Sequence, residues 1–254
     1  MKKKATMLFL LVSLLITSKA QAGWIVKSEI TRPGTSPYKT ITYYQNGKFA
    51  TVTPLGTTTI DASKGLIIQI NPWQRTYSRI TAERMGKIIK EMQKRVRSQL
   101  KGLPPDKKAQ LERELGITST PPKITVEEIG VKVLLGHRCK VYQIDLNGEK
   151  AMRLWIAMGV KPFSPETEQL FRRTMDKAFP EIDRELGIFR LERTEEFKKL
   201  TRDGLVMKIV DYRDGSIVKV IEIKQVKLPD SVFSPPPGYK EVPFEKLKQP
   251  PMER

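Results

Sequence analysis

Two Asn-Gly dipeptides, Asn46-Gly47 and Asn147-Gly148, constrain the fold of this chain more than any other feature. Asn-Gly suits the two φ > 0 positions of a type I′ turn, whose twist matches that of two paired antiparallel strands. Asp214-Gly215 gives a third hairpin signal. The predicted hairpins join residues 38–44 to 48–53, 139–146 to 150–157, and 205–212 to 216–227. The chain is therefore predicted to build its sheet from local antiparallel pairs.

Further strand signals fill the first third of the chain. The region from Trp24 to Ile80 is rich in β-branched and aromatic residues and is interrupted by turn residues, which is typical of a meander of short strands. The predicted strands at its end are residues 57–60, 66–70 and 76–80.

A helical period begins after Thr81, a predicted N-cap. The apolar positions that recur at helical spacing are Met85, Ile88, Ile89, Met92, Val96 and Leu100. Cations occupy most of the remaining positions, which makes this a basic amphipathic helix. Such a helix either binds a membrane surface or an acidic partner, or packs on the sheet with a solvated outer face.

Pro104-Pro105 ends this helix, and residues 106–115 are predicted to form a short second one. Ser164-Pro165-Glu166 has the cap, proline and acid of a third helix start. The apolar face of that helix is predicted to consist of Leu170, Phe171, Met175, Ala178 and Phe179. Residues 181–200 are highly charged and are predicted to be helical as well.

The first 22 residues have the pattern of a secretory signal peptide. Three lysines precede an apolar run over residues 5–17, and Ala20-Gln21-Ala22 is a small-x-small cleavage site before Gly23. The alternative is a membrane anchor, but the run is shorter than the roughly 20 residues that a span needs. Gly23 also stands where a lipid-anchored protein would carry cysteine. We therefore expect cleavage after Ala22 and a periplasmic protein.

The chain is strongly basic, with a formal net charge of +18. Loss of Lys2, Lys3, Lys4 and Lys19 with the leader would leave about +14. In an exported protein this excess favours anionic lipid headgroups, cell-wall polymers or an acidic protein as partner, and makes nucleic acid an unlikely one. The alternative is that the charge serves solubility and non-specific adhesion.

Composition limits the chemistry available. His137 is the only histidine and Cys139 the only cysteine. Neither a His/Cys zinc site nor an internal disulfide can therefore form. The Cys139 thiol is either buried or paired with another molecule. Asp61 and Asp145 stand at predicted turns, where Asp is common for conformational reasons. We expect no cofactor, no metal and no enzymatic activity.

Several short motifs together resemble the LolA-like periplasmic domains, and especially their relatives of unknown function. The motifs are spread over most of the chain after residue 23. They are Ile60-Asp61 to Lys64-Gly65, Ile70-Asn71-Pro72 to Thr76-Tyr77, Gly136 to Tyr142, Met152 to Ala157, and Pro229-Asp230-Ser231-Val232-Phe233 with Pro237-Gly238-Tyr239-Lys240.

This resemblance implies an α+β fold in which an open antiparallel sheet is curved into a half barrel, with amphipathic helices on its concave side. We expect one such domain at residues 23–242, with helical insertions near 81–115 and 165–200. The second insertion is a departure from the lipoprotein carriers of the family. Residues 243–254 are polar and contain proline, so we expect a flexible tail there. The resemblance also implies that an apolar space between sheet and helices accepts acyl chains, so a lipid or acylated molecule is the expected ligand.

Large apolar residues on the facing elements are the candidate lining of that space. They are Trp73, Tyr77, Trp155, Phe171 and Met175. The alternative for each is an ordinary place in the core. The sequence thus predicts an exported, non-enzymatic protein that binds an apolar or lipid-like ligand; the alternative function is a basic interaction module that holds an acidic envelope component.

Overall fold

One large antiparallel sheet and a few helices make up the computed structural model, which describes residues 22–114, 122–179, 191–202 and 204–247. The sheet has twelve strands and is not closed, since β12 and β7 end its strand order. This confirms the predicted mixed α+β class and the open antiparallel sheet.

The twelve strands follow one another almost without crossovers. They are β1 Gly23–Thr31, β2 Tyr38–Gln45, β3 Lys48–Thr53, β4 Gly56–Asp61, β5 Leu66–Asn71, β6 Thr76–Thr81, β7 Ile124–Leu134, β8 His137–Leu146, β9 Glu149–Met158, β10 Gly204–Asp211, β11 Ile217–Val226 and β12 Lys240–Glu241. Their order in the sheet is β12-β6-β5-β4-β3-β2-β1-β11-β10-β9-β8-β7. Every pair is antiparallel except β12 with β6.

The described helices lie at the predicted places. They are α1 Ala82–Lys101, α2 Pro105–Glu114, α3 Pro165–Ala178 and α4 Glu195–Arg202. The Thr81 side chain accepts a hydrogen bond from the Arg84 amide and caps α1, and Ser164 caps α3 in the same way through Thr167. Part of the predicted helical region, residues 180–190, lies outside the described residues.

The turns confirm the predicted hairpins. Asn46 and Gly47 both have positive φ, as do Asn147 and Gly148, as a type I′ turn requires. The first turn pairs Gln45 with Lys48 and fixes the register of β2 on β3. Asp214-Gly215 lies in the connection between β10 and β11, where only Gly215 has positive φ.

A row of apolar side chains crosses the first half of the sheet. Direct pairing places its members opposite one another on successive strands, and therefore on one face. The row is Trp24, Tyr44, Phe49, Ile60, Ile67 and Ile80. We call this side of β1–β6 the helix face, because α1 and α3 pack on it through Met85 and Ala178.

The neighbouring residues on these strands point to the opposite face of the sheet. A different segment of the chain packs on that face. Tyr43 and Ala50 pack there against Leu228 and Phe233, which belong to the segment after β11. Phe233 ends a 3-10 helix, Asp230–Phe233, within the predicted proline-rich exit. Both faces of the first half of the sheet are therefore partly covered.

The second half of the sheet has two further core clusters. One contains the fully buried Ile144, Leu154 and Ile156, and is covered by Leu191 and by Phe197 of α4. The other contains Cys139, which is buried, unpaired and 0% exposed. Burial raises the pKa of the Cys139 thiol, so this cysteine is a small apolar core residue, as one of the two sequence alternatives held.

The end of the chain is more ordered than the predicted tail boundary implies. The amides of Lys240 and Val242 donate to the carbonyls of Arg75 and Tyr77, which adds β12 beside β6. Phe244, in the 3-10 helix Phe244–Lys246, packs against the cluster beneath α1. This aromatic residue attaches the start of the tail to the fold; residues 248–254 lie outside the described residues.

Among the described residues, no helix combines the length and the apolar character that a membrane span requires.

Leu154 tests the packing of the second half of the sheet. We expect Leu154→Ala to lower the free energy of unfolding by about 3 kcal/mol, because it leaves a cavity at a fully buried site. Leu55→Ala removes the same atoms from a turn residue that is 55% exposed and should cost less than about 1 kcal/mol. Urea denaturation of both variants measures the difference, and equal losses would contradict this description of the core.

Candidate functional site

Four aromatic rings meet between the sheet and α3, and we call them the aromatic cluster. They are Tyr44, Phe49, Phe163 and Phe171, and each ring contacts two others. The ring centroids are 5.3 Å apart for Tyr44–Phe49, 5.6 Å for Phe49–Phe171, 5.8 Å for Phe171–Phe163 and 5.2 Å for Phe163–Tyr44. These separations are those of favourable edge-to-face and tilted contacts.

Local sequence rules explain how the cluster forms. The two-residue turn at Asn46-Gly47 pairs Tyr44 with Phe49 across β2 and β3. Phe163 immediately precedes Ser164, the N-cap of α3, and Phe171 lies on the face of α3 that packs toward the sheet. The cluster therefore joins a hairpin to the start of a helix far away in sequence.

The side chains at this junction are only half-buried, although they are large and apolar. The four residues of the aromatic cluster are of intermediate exposure, as are Ile88 and Ile89 of α1. The isoleucines of the sheet beneath the helices are different, since Ile67 is only 2% exposed. The layer between sheet and helices is thus closed at the sheet but remains accessible around the aromatic cluster.

Tyr44 is the polar member of the cluster. Desolvation by its apolar surroundings raises the pKa of its hydroxyl well above the ordinary value. The hydroxyl makes no hydrogen bond to any described residue. It is therefore a neutral donor and acceptor in an apolar setting, able to bind one polar group of a mainly apolar ligand.

The structure brings two of the predicted lining residues to this site and a third close to it. Phe171 and Met175 both pack from α3 against the cluster beneath the helices. Trp155 lies on β9 and packs against the core cluster that also receives Tyr44. The Lys208 ammonium lies 4.8 Å from the Trp155 ring centroid, so a cation covers one face of this indole.

The other two predicted lining residues lie elsewhere. Trp73 is in the turn between β5 and β6 and is 71% exposed. Tyr77 is three residues before Ile80 on β6, so the alternation of the strand directs it to the face opposite the helices. There its hydroxyl donates to the Glu241 carboxylate at 2.9 Å, and this hydrogen bond raises the pKa of Tyr77.

Sequence reasoning missed Tyr44, Phe49 and Phe163. The first two carry a usable signal, since a type I′ turn at Asn46-Gly47 requires that Tyr44 stand opposite Phe49. Phe163 carries no such signal, because its place depends on the docking of α3 on the sheet.

The ionisable groups considered from the sequence have local structural partners. Asp61 accepts hydrogen bonds from the Ser63 amide and hydroxyl at 3.1 and 2.6 Å and thereby stabilises the β4–β5 turn. Asp145 accepts one from the Gln143 side chain at 3.0 Å. In the described ranges, no three His, Cys, Asp or Glu side chains are grouped as metal ligands would be.

A second feature is the basic outer surface of α1. We call it the α1 basic surface and define it by four exposed cations, Lys87, Lys90, Lys94 and Arg95. Met92, which is 59% exposed, lies among them, whereas Met85 and Leu100 are buried beneath the helix. This helix packs on the sheet, as one of the two sequence alternatives held, and presents its charges to solvent.

The chain belongs to the family described as "Domain of unknown function (DUF4412)". The model of this family matches residues 107–239, just over half of the chain, from α2 to the segment before β12. This agrees with the expected kinship to domains of unknown function. No curated protein matches the sequence.

Three solved structures are similar to the chain over most of its length. An uncharacterised conserved protein from Thermus thermophilus is 9% identical, with 89% of this chain and 92% of that one covered and a TM-score of 0.42. A LolA superfamily protein from Nitrosomonas europaea is 8% identical, with 85% and 91% covered and a TM-score of 0.27. A DUF1329 family protein from Desulfovibrio piger is 10% identical, with 85% and 91% covered and a TM-score of 0.31.

The ionisation of Tyr44 provides a test of its apolar setting. Its raised pKa means that the folded protein keeps the hydroxyl proton at a pH at which the unfolded chain has lost it, so stability falls as the pH rises above about 10. We expect Tyr44→Phe to lose less unfolding free energy than the wild type between about pH 8 and about pH 11. Tyr212→Phe, at a residue 41% exposed, is the control and should match the wild type.

Proposed function

We propose that this protein is an exported, periplasmic, non-enzymatic carrier that binds an apolar or lipid-like ligand between its sheet and its helices. The ligand lies on the helix face, which is the concave side of a sheet curved as a half barrel. The aromatic cluster is the centre of the site, and residues 1–22 are the signal peptide that directs export and is cleaved after Ala22.

The observation that carries this proposal is the half-buried state of the aromatic cluster. A finished core buries its aromatic rings, because each ring buried from water stabilises the fold. Here four aromatic residues in mutual contact are only partly buried, whereas Ile60, Ile67 and Ile80 of the same sheet face are buried. An acyl chain or similar apolar group would cover this surface and gain the same free energy on binding.

The chemistry of the surrounding residues favours a ligand with one polar group. Tyr44 supplies a hydroxyl that has no hydrogen-bond partner among the described residues, and Met175 of α3 supplies an adaptable apolar wall. Lipids and acylated molecules combine a long apolar chain with such a polar end. The proposed ligand class is therefore amphipathic with a large apolar part.

Lipid extraction from the purified protein tests the proposal. We expect organic extraction followed by mass spectrometry to recover an amphipathic lipid in a near-stoichiometric amount. We expect Phe171→Asp to weaken binding of a fluorescent long-chain fatty acid by about tenfold or more, because a carboxylate is placed against the acyl chain. Trp73→Asp is the matched control, since Trp73 lies on an exposed turn and its variant should bind as the wild type does.

Circular dichroism of both variants separates loss of binding from loss of fold. A ligand-free wild type that also fails to bind the fatty acid would refute the proposal, as would equal effects of the two substitutions.

The α1 basic surface supports a second candidate function, the attachment to an acidic envelope component. Lys87, Lys90 and Lys94 make no ion pair within the described part of the chain, and they follow one side of a helix that is otherwise anchored to the sheet. Such a row of cations binds anionic lipid headgroups or polymers through long-range attraction.

Vesicle binding distinguishes this second function from mere solubility. We expect sedimentation with phosphatidylglycerol vesicles at low salt and its loss near 0.5 M salt, where the screening length is only about 4 Å. The triple variant K87E/K90E/K94E should abolish it, whereas K39E/K150E/K227E, with the same change of charge at exposed residues elsewhere, should retain most of it. Binding that withstands salt, or equal losses in both variants, would contradict the role of α1.

A further inference from the structure

The free edge of β7 has features of an interaction surface. β7 is the longest strand of the sheet, with 11 residues, and no described strand pairs with its outer side. Its second half is apolar and exposed, since Val131 is 40% and Val133 is 68% exposed. A long strand edge with unpaired backbone groups is a template for another strand, and soluble proteins usually cover or charge it.

A bulge divides β7 into two segments. The register on β8 shifts between Glu128 and Gly130, so Ile129 is an extra residue. The partners on β8 show which residues of β7 share a face. One face carries Val126, Glu128, Val131 and Val133, and the other carries Thr125, Glu127, Lys132 and Leu134. Each face of the strand therefore carries residues from both segments.

The cover of the sheet ends along this strand. Val126 packs into the cluster closed by Leu191 and α4. Val133 lies on the same face, opposite Arg138 of β8, and is not part of that cluster. Exposed apolar side chains therefore lie at the open edge, outside the covered core.

We propose that β7 pairs with β7 of a second copy of this chain, antiparallel and about a two-fold axis at Gly130. In this register Lys132 stands opposite Glu127 of the second copy, and Val133 stands opposite Val126. Both pairs also lie on matching faces, as directly opposed residues in an antiparallel ladder must. The two-fold axis forms each contact twice.

Charge selects this register over its neighbours. An axis at Glu128 or at Lys132 places that residue opposite its own copy, which sets like charges against each other. An axis at Val131 leaves Lys132 opposite Gly130 with no acid. Lys132 and Glu127 have no ion-pair partner among the described residues of their own chain, so both are available to the second copy.

Gly130 suits the position on the axis. Its φ of +147° is one that glycine adopts readily, and no atom lies within 4 Å of the point where a Cβ would stand. Two such residues can face each other without a side-chain clash. The bulge is also necessary for the match, because in a regular strand Glu127 and Lys132, five positions apart, would point to opposite faces.

A charge swap tests the proposal directly. We expect sedimentation equilibrium of the purified protein to give twice the mass of the chain at a concentration on the order of 10 μM. Lys132→Glu and Glu127→Lys should each weaken the dimer by about tenfold or more, because each sets two like-charge pairs across the axis. The double variant K132E/E127K should restore the wild-type dimer.

Lys227→Glu changes an exposed lysine in the loop after β11 and is the matched control, which should remain dimeric. Circular dichroism checks that each variant is folded. A monomeric wild type would overturn the proposal. This holds even if the β7 edge of that monomer binds a strand of a different protein. A dimer that the single reversals leave intact, or that the double variant does not restore, would overturn it too.

Discussion

Cross-strand pairing on the helix face is the interaction on which the rest of the structure depends. The tight turn at Asn46-Gly47 sets Tyr44 opposite Phe49, and each later strand adds one apolar residue to the same row, through Ile67 to Ile80. A shift of one residue in any of these strands would turn its apolar side chains to the other face. The docking surface for α1 and α3, and with it the aromatic cluster, exists only in this register.

The helices complete this surface unevenly, and the unevenness gives the site its character. Met85 and Ala178 are buried between helix and sheet, whereas Phe163 and Phe171 meet Tyr44 with part of their surface accessible. The same helix α1 carries cations on its outer side. The helix layer thus has an apolar inner side with one hydroxyl and a basic outer side. The inner side can bind an amphipathic ligand while the outer side binds an acidic surface, so the two proposals are compatible.

The two ends of the sheet are treated differently. The β6 edge receives β12 as a short parallel neighbour, and the Arg79–Glu241 and Arg84–Glu245 ion pairs, at 2.8 and 3.1 Å, attach the same segment to β6 and α1. These pairs are exposed and contribute little stability, so the backbone bonds and Phe244 matter more. The β7 edge has no such cover among the described residues, and its bulge and charges are arranged so that its own copy can fill it.

By itself the sequence determined the hairpins and the starts of α1 and α3, because turn geometry and helix capping act over a few residues. For Cys139 it left two alternatives, one of which was burial. It also identified Phe171 and Met175 as members of an apolar helix face. Only the tertiary structure decided that Phe163 joins them, that Trp73 and Tyr77 do not, and that the last residues return to pair with β6. The physical reason is that docking brings together residues more than a hundred positions apart, and no local pattern records which side chains meet or how much of their surface remains accessible.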